Sequence, residues 1–201
     1  MSKDMTLQEM TAGQISKAVA NYRAMLEKHA GNFPVDVVQD VLGDRDFAAA
    51  QFALFCERVE ARSGIIVRDF TVCFRLVGMA AIEATGRAKY VHANVVASMP
   101  GPTAPEGKLH FFQTGRYTPA AEVEAEYSKR GLVAVDPHTL AAFNAANPEF
   151  ADERPNVTQW KDADGGFCYA TFGGWRGMRR VGVGHSDGGW FDCWWFAGVG
   201  K

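Results

Sequence analysis

The feature that most restricts the fold of this chain is the aromatic and glycine-rich stretch from residue 157 to residue 201. All of the tryptophans lie here, namely Trp160, Trp175, Trp190, Trp194 and Trp195. Runs of strand-forming residues, at 157–161, 167–172, 178–184 and 190–199, alternate with gaps rich in glycine and aspartate. Such gaps are typical of hairpin turns. The stretch therefore predicts an antiparallel β-meander.

The N-terminal third has a different periodicity. Apolar residues recur at spacings of three and four from Leu7 to Leu26, and again from Phe47 to Val59, which predicts amphipathic helices. Thr6-x-x-Glu9 has the pattern of a capping box at the first of them. Residues 1–64 are therefore expected to be helical, with apolar faces that need cover from the following sheet or from another protein.

The middle of the chain mixes both patterns. Alternation of apolar and polar residues from Ile65 to Leu76 predicts a strand, and 108–113 predicts another. Thr118-Pro119 and Asp136-Pro137 each predict the start of a helix. We therefore expect an α+β fold with a helical N-terminal layer, a mixed middle and a Trp-rich C-terminal meander. Residues 1–64 would form a helical segment and residues 65–201 an α+β domain, or the two would belong to one continuous domain.

Composition and charge exclude several classes of protein. With 201 residues, 47% of them hydrophobic, the chain is long enough to bury a sizeable core. The 21 basic and 23 acidic residues nearly cancel, which excludes a histone-like or polybasic protein. No apolar run approaches the roughly 18 residues of a membrane span, and residues 1–14 lack the apolar core of a secretory signal. We expect a cytoplasmic protein without membrane contact.

The spacing of cysteines and histidines favours no metal or redox motif. The cysteines, Cys56, Cys73, Cys168 and Cys193, are scattered, and no two form a C-x-x-C pair. The histidines provide no close pair either, whereas zinc modules use ligands two to four residues apart. The sequence thus predicts reduced, mostly buried thiols, with no metal site and no cofactor.

Several short segments between residues 65 and 201 resemble a group of uncharacterised proteins from bacteria, phages and mobile elements. These segments are Ala81–Tyr90, Val95–Pro100, His110–Tyr117, Glu126–Leu132, Ala151–Asn156, Trp160–Gly165 and Trp194–Val199. The helical N-terminus has no counterpart in the resemblance. The resemblance implies a mobile-element setting, in which small proteins act by binding host machinery, and it assigns no catalytic residue.

The densest aromatic run is Trp190–Phe196. In a strand, Trp190 and Trp194 share one face and Trp195 lies on the other. This pattern fits a strand covered on both faces, and it also fits an exposed patch that binds protein or stacks on bases. A neighbouring hairpin adds arginines. The candidate binding residues are therefore Trp175, Arg176, Arg179, Arg180, Trp190, Trp194 and Trp195.

Chemistry at a thiol is the remaining candidate activity. His185-Ser186-Asp187 could supply the acid and base of a hydrolase that uses Cys168 or Cys193 as its nucleophile. Both cysteines fall within predicted strands, however, whereas catalytic cysteines of the commoner thiol hydrolases lie at helix N-termini. The sequence His-Ser-Asp-Gly-Gly is also typical of a turn. The segment Asp162-Ala-Asp164-Gly165 resembles the start of a calcium-binding loop, but the third acidic ligand and the terminal glutamate of such a loop are absent. It is therefore expected to be a hairpin turn.

These observations lead to one functional expectation and two alternatives. The expectation is a non-enzymatic protein of phage or mobile-element type that binds a host protein through the Trp-rich sheet. The first alternative is a protein that binds single-stranded nucleic acid with the same Trp and Arg residues. The second is a small thiol-dependent hydrolase. The partner and the oligomeric state stay open at this stage.

Overall fold

The computed structural model describes residues 9–201 and confirms the α+β class. The chain divides between residues 62 and 63 into two compact units. We call residues 9–62 the helical unit and residues 63–201 the α+β unit. Within the described residues, no helix combines the length and the apolar character needed to cross a bilayer.

The helical unit contains three helices, α1 (Ala12–His29), α2 (Val35–Gly43) and α3 (Phe47–Ser63). The capping box of α1 is formed by Thr11 and Gln14. The Thr11 hydroxyl accepts a hydrogen bond from the Gln14 backbone N–H at 3.2 Å, and the Gln14 side chain accepts one from the Thr11 N–H at 2.8 Å. Thr6 of the predicted box lies outside the described residues. Helix α1 begins at Ala12, where Thr11-x-x-Gln14 supplies the same capping chemistry as the predicted Thr6-x-x-Glu9.

The α+β unit contains ten strands and five helices, counted over its described residues. The strands are β1 (Ile65–Thr71), β2 (Ala88–Val91), β3 (Glu106–Phe112), β4 (Thr118–Pro119), β5 (Leu132–Ala134), β6 (Asn156–Lys161), β7 (Phe167–Trp175), β8 (Met178–His185), β9 (Gly189–Trp190) and β10 (Trp195–Gly200). The helices are α4 (Met79–Glu83), α5 (Ala93–Ala97), α6 (Ala120–Ser128), α7 (Pro137–Ala146) and α8 (Phe150–Glu153).

One mixed, eight-stranded sheet organises this unit. Its order is β1-β3-β10-β6-β7-β8-β2, and β5 pairs with β10 beside β6. Strands β6, β7 and β8 form an antiparallel meander, while β2 runs parallel to β8. Strands β4 and β9 form a separate two-stranded sheet.

The last of the predicted meander strands, 190–199, is not one strand. Its first part is β9, which pairs with β4, and its second part is β10, which lies on the far side of β6 from β7. Strand β10 runs parallel to β6 and antiparallel to β3. Both faces of this strand are apolar, since Phe196 belongs to one core and Ala197 to the other. In a central position β10 pairs with a strand on each side, and both of its faces are covered by core residues. At the edge of the sheet beside β8 it would pair with one strand only.

The sheet separates two hydrophobic cores. The larger core packs the sheet against α4, α5, α7 and α8, and it contains Phe111 and Leu140, which are completely buried. The smaller core packs the other face against α6 and contains Phe112, Tyr127 and Trp190. The α+β unit therefore has helices on both sides of its sheet.

Helix α6 is tied to the sheet by polar contacts as well as by packing. The buried Tyr127 hydroxyl donates a hydrogen bond to the Ala197 carbonyl at 2.8 Å. The Arg130 guanidinium lies 4.2 Å from the centre of the Phe112 ring and donates to the Glu126 carboxylate at 2.9 Å. Burial of that carboxylate opposes its ionisation, but hydrogen bonds and charge from Lys129 and Arg130 outweigh burial and lower the pKa of Glu126 to about 2. Glu126 is therefore ionised at neutral pH and holds Arg130 over the sheet.

Gly198 lets α6 and β5 approach the central strand closely. A Cβ atom at this position would lie 2.8 Å from both the Tyr127 ring and the Val133 carbonyl oxygen. We expect Gly198→Ala to lower the free energy of unfolding by about 1–3 kcal/mol, because backbone atoms must move to admit the methyl group. Urea denaturation would measure the loss. Gly200→Ala is the matched control, since a Cβ there meets no atom within 4 Å. Equal stability of the two variants would contradict this account.

Candidate functional site

Trp190, the first residue of the aromatic run, lies in the smaller core. It is 6% exposed, and its indole N–H donates to the Gln159 side-chain oxygen at 2.9 Å. The ring packs edge-on against Tyr169 and Trp194, with ring centres 5.5 and 5.6 Å apart. Trp190 is therefore a packing residue and does not offer a surface for a partner.

Trp194 and Trp195 are half-buried and support different cores. Trp194 packs against the smaller core, and Trp195 packs against the larger one on the other face of the sheet. The alternation expected from the sequence is thus present, but it divides the tryptophans between two faces. These three tryptophans do not form one exposed platform.

The arginines of the predicted surface are divided in the same way. Arg179 forms an ion pair with Asp152 of α8, with a shortest separation of 2.7 Å. Arg180 follows it along β8 and stacks on the ring of Tyr90 in β2, 4.7 Å from its centre. Consecutive residues in a strand point to opposite faces, so the two charges are not presented together.

The exposed part of the predicted site is the tip of the β7–β8 hairpin. Trp175 is 59% exposed, and Arg176 and Gly177 form the two-residue turn. Both turn residues have positive φ, 50° for Arg176 and 76° for Gly177, as a tight hairpin of this kind requires. Arg176 is the one residue other than glycine with positive φ among residues 9–201. This tip offers one tryptophan and one arginine, which is a small surface.

The two hairpins of the meander bring together a cysteine, a histidine and an aspartate. Cys168 of β7 and His185 of β8 are directly paired across the strands, and the Cys168 Sγ lies 3.5 Å from the His185 Nδ1. Asp162, in the turn between β6 and β7, places its Oδ2 3.9 Å from the sulfur and 3.6 Å from the imidazole nitrogen. Within residues 9–201 this is the one group of such side chains arranged to share a metal ion.

The sequence identified two members of this cluster and missed the third. Cys168 and His185 were candidates for a thiol enzyme, with Asp187 as the acidic residue. Asp187 is exposed in the loop after β8, and the carboxylate beside His185 is that of Asp162. The Asp162-Ala-Asp-Gly-Gly segment does form the predicted hairpin turn. The pairing of β7 with β6 on one side and β8 on the other places Asp162 beside His185, and the sequence does not reveal this pairing.

The environment of Cys168 disfavours its thiolate. Burial raises the pKa of the Cys168 thiol, and the negative charge and hydrogen bonding of Asp162 raise it further. Activated cysteines instead lie beside positive charge or a helix N-terminus, which lower the pKa. Cys193 is exposed in the loop between β9 and β10. The geometry thus joins Cys168 to an imidazole without activating the sulfur.

The burial of the thiols differs from the expectation. All four cysteines are free, but only Cys168 is buried, Cys56 is half-buried, and Cys73 and Cys193 are exposed. Cys73 follows β1, and Cys193 belongs to the turn that separates β9 from β10, so the predicted strands that would have covered them end earlier. The expectation of mostly buried thiols is therefore wrong.

Most of the large apolar side chains that are exposed in the described residues belong to the helical unit. No residue of α1, α2 or α3 is buried. Large apolar side chains between 38% and 83% exposed occur along the whole unit, namely Met10, Ile15, Val19, Tyr22, Met25, Leu26, Phe33, Val35, Val37, Val38, Val41, Leu42, Phe52, Leu54, Phe55 and Val59. We call these side chains the apolar helical surface. Exposure of so many large apolar side chains on three successive helices is unusual for a monomer and indicates a protein-binding surface.

Comparisons with family models, with curated proteins and with solved structures found no match.

Alkylation at neutral pH tests the state of the Cys168 thiol. In folded protein kept in a chelator, we expect Cys168 to react at least about 100-fold more slowly than Cys73 and Cys193, because it is buried and its pKa is raised. Peptide mass spectrometry would give the rate at each cysteine, and in denaturant the rates should converge. Rapid modification of Cys168 in the folded chain would instead support the thiol-dependent hydrolase.

Proposed function

We propose that this protein acts by binding another protein, and that the apolar helical surface carries the contact. The observation that supports this proposal is a helical unit in which no residue of its three helices is buried. The proposal keeps the macromolecule-binding class expected from the sequence but moves the binding surface from the Trp-rich sheet to the helices.

Helices of this length need packing to be stable. Helix α2 has 9 residues, and α1 and α3 have 18 and 17. Isolated helices shorter than about 12–15 residues, such as α2, are marginal in water, and in proteins most of the stability of any helix comes from burial of an apolar face. Each methylene group removed from water contributes about 0.8 kcal/mol. A partner that covered these faces would therefore stabilise the unit and gain affinity from the same contacts.

The apolar residues of α1 form a stripe suited to helix packing. Ile15, Val19, Tyr22 and Leu26 follow one another at spacings of four, three and four residues, and all are exposed. Such a stripe occupies one face of a helix and is the pattern that docks against another helix. The Tyr22 hydroxyl accepts a hydrogen bond from Gln51 of α3, so α3 adjoins this stripe.

The charges of the helices point to a second copy of this chain as the occupant. Helix α1 carries Lys17, Arg23 and Lys28 against Glu27, and is therefore positive. Helix α2 carries Asp36 and Asp40 and is negative. In a two-fold symmetric dimer, α1 of one copy can face α2 of the other at both equivalent contacts. Charge complementarity of this kind guides docking and fixes the register.

Other partners have less support from the structure. A host protein, which the resemblance implies, would use the same apolar helical surface, but the complementary charges of α1 and α2 already supply both sides of a contact. Single-stranded nucleic acid would need exposed aromatic and basic groups together. Among the predicted residues only Trp175 and Arg176 are exposed side by side, since Trp190 is buried and Arg179 and Arg180 lie on opposite faces of the sheet.

Disrupting the apolar helical surface should separate the copies. Val19 and Leu54 are 63% and 62% exposed, so a charge at either position does not enter a core. We expect the full-length variant Val19→Glu/Leu54→Glu to weaken self-association at least about 100-fold, because each copy would bring two charges to the interface. Sedimentation equilibrium over a range of concentrations would measure it. Phe191→Glu is the matched control, since Phe191 is 66% exposed in the α+β unit. A wild-type chain that is monomeric at every concentration would contradict the proposal.

A charge exchange tests whether the occupant is a second copy. Lys17→Glu/Lys28→Glu makes α1 negative, and Asp36→Lys/Asp40→Lys makes α2 positive, so each variant alone places like charges at both contacts. We expect each variant to self-associate at least about tenfold more weakly than wild type, and the two together to form a heterodimer of restored affinity. Native mass spectrometry of the mixture would detect that heterodimer. Failure of the mixture to associate would exclude the proposed pairing of α1 with α2.

A further inference from the structure

The second feature that invites a functional interpretation is the cluster of Asp162, Cys168 and His185. It lies within the α+β unit and does not depend on the proposed self-association. The three side chains offer one oxygen, one sulfur and one nitrogen, each from a different part of the β6–β7–β8 meander. Mixed donors of this kind are the ligand set of borderline transition metals, and in particular of zinc.

Two of the three distances between the donor atoms match those of a tetrahedral zinc site, and the third is longer. Zinc bonds of about 2.3 Å to sulfur and about 2.0–2.2 Å to nitrogen and oxygen separate donor pairs by about 3.4–3.6 Å. The observed separations are 3.5 Å for Sγ to Nδ1, 3.6 Å for Nδ1 to Oδ2 and 3.9 Å for Sγ to Oδ2. In a tetrahedral site the ion lies out of the plane of these three donors, so the Sγ and Oδ2 atoms would have to approach each other by about 0.3 Å to receive it. Little movement is needed to receive the ion.

The fold holds the donors in this arrangement without a metal. Cys168 and His185 are opposite each other in the β7–β8 ladder, so their side chains share one face. The Asp162 Oδ1 accepts hydrogen bonds from the backbone N–H groups of Asp164 at 3.0 Å and Gly166 at 2.7 Å. These bonds fix the carboxylate and leave Oδ2 directed toward the other two donors.

Gly166 leaves room for the carboxylate in this position. A Cβ atom at residue 166 would lie 2.9 Å from the Asp162 Oδ2. Any larger residue would press on the oxygen that approaches Cys168 and His185. The two glycines of the turn thus serve different needs, because Gly165 has a positive φ of 83° and Gly166 provides space.

We propose that Asp162, Cys168 and His185 bind a zinc ion, with water as the fourth ligand. Cys168 is buried, Asp162 is half-buried and His185 is exposed, so the site opens to solvent on the His185 side. Three protein ligands with one open position are typical of zinc sites that act on a bound molecule, whereas structural sites use four protein ligands. A zinc ion would also stabilise the Cys168 thiolate, which burial and Asp162 otherwise disfavour.

His92 is the nearby imidazole that could occupy the fourth coordination position of the zinc ion in place of water. It precedes α5, and its ring centre lies 6.5 Å from that of His185. The proposal assigns the fourth position to water, so His92→Ala should bind zinc as the wild type does. Loss of zinc binding in His92→Ala would show that the site is closed by a fourth protein ligand.

The experiment uses the full-length chain, stripped with a chelator and then titrated with Zn²⁺ or Co²⁺. We expect one ion per chain, and with Co²⁺ the thiolate charge-transfer and d–d absorption of a tetrahedral site. Cys168→Ser, Asp162→Asn and His185→Ala should each lower the affinity for Zn²⁺ at least about 100-fold, because each removes a ligand. Gly166→Ala, which displaces the carboxylate, should lower it about tenfold.

Matched variants separate this site from adventitious binding. Cys193→Ser removes an exposed thiol, and Asp164→Asn changes a carboxylate in the same turn whose contact with Asp162 is through its backbone. Both should bind Zn²⁺ with wild-type affinity. Thermal unfolding of the stripped proteins would show that every variant folds, and added Zn²⁺ should raise the melting temperature only where the site is intact. Absence of thiolate absorption with Co²⁺ in the wild type, or its persistence in Cys168→Ser, would overturn the proposal.

Discussion

The α+β unit depends on the insertion of β10 between β3 and β6. This strand joins β1 and β3 to the β6–β7–β8–β2 half of the sheet, and without it the two halves share no ladder. It also contributes to both cores, through Phe196 on one face and Ala197 on the other. Gly198 keeps the strand close to α6, and the Tyr127 hydroxyl bonds to the carbonyl just before it. Backbone pairing, packing and close approach therefore act together on six residues of chain.

The position of β10 also determines the chemistry of the meander. With β10 beside β6, strand β7 has β6 on one side and β8 on the other, and β8 is covered by β2. In this register Cys168 faces His185, and the turn after β6 brings Asp162 to both. The donors are separated by 6 and 17 residues along the chain. They meet because hydrogen-bonded strands bring distant residues within about 5 Å of each other.

The two units obtain stability in different ways. The α+β unit buries two clusters of apolar side chains between its sheet and the helices on both faces of that sheet. The helical unit has good local signals, including a capping box and an Arg23–Glu27 ion pair at 2.7 Å on α1, but no residue of its three helices is more than partly buried. Local signals of this kind contribute only tenths of a kcal/mol to about 1 kcal/mol each. Association would supply the burial that the unit lacks, and it would make stability depend on protein concentration.

The sequence by itself determined the α+β class, the helix that begins at Asp136-Pro137, the amphipathic helix that includes Phe47–Val59 and the hairpins of the meander. These features follow from periodicity, capping and turn chemistry, which act over a few residues. Only the tertiary structure decided that Trp190 is buried, that the last predicted strand divides into β9 and β10, and that Asp162 joins Cys168 and His185. Each of these depends on which strands pair and in which register. That choice is made by contacts between residues far apart in the chain, and spacing along the sequence does not reveal it.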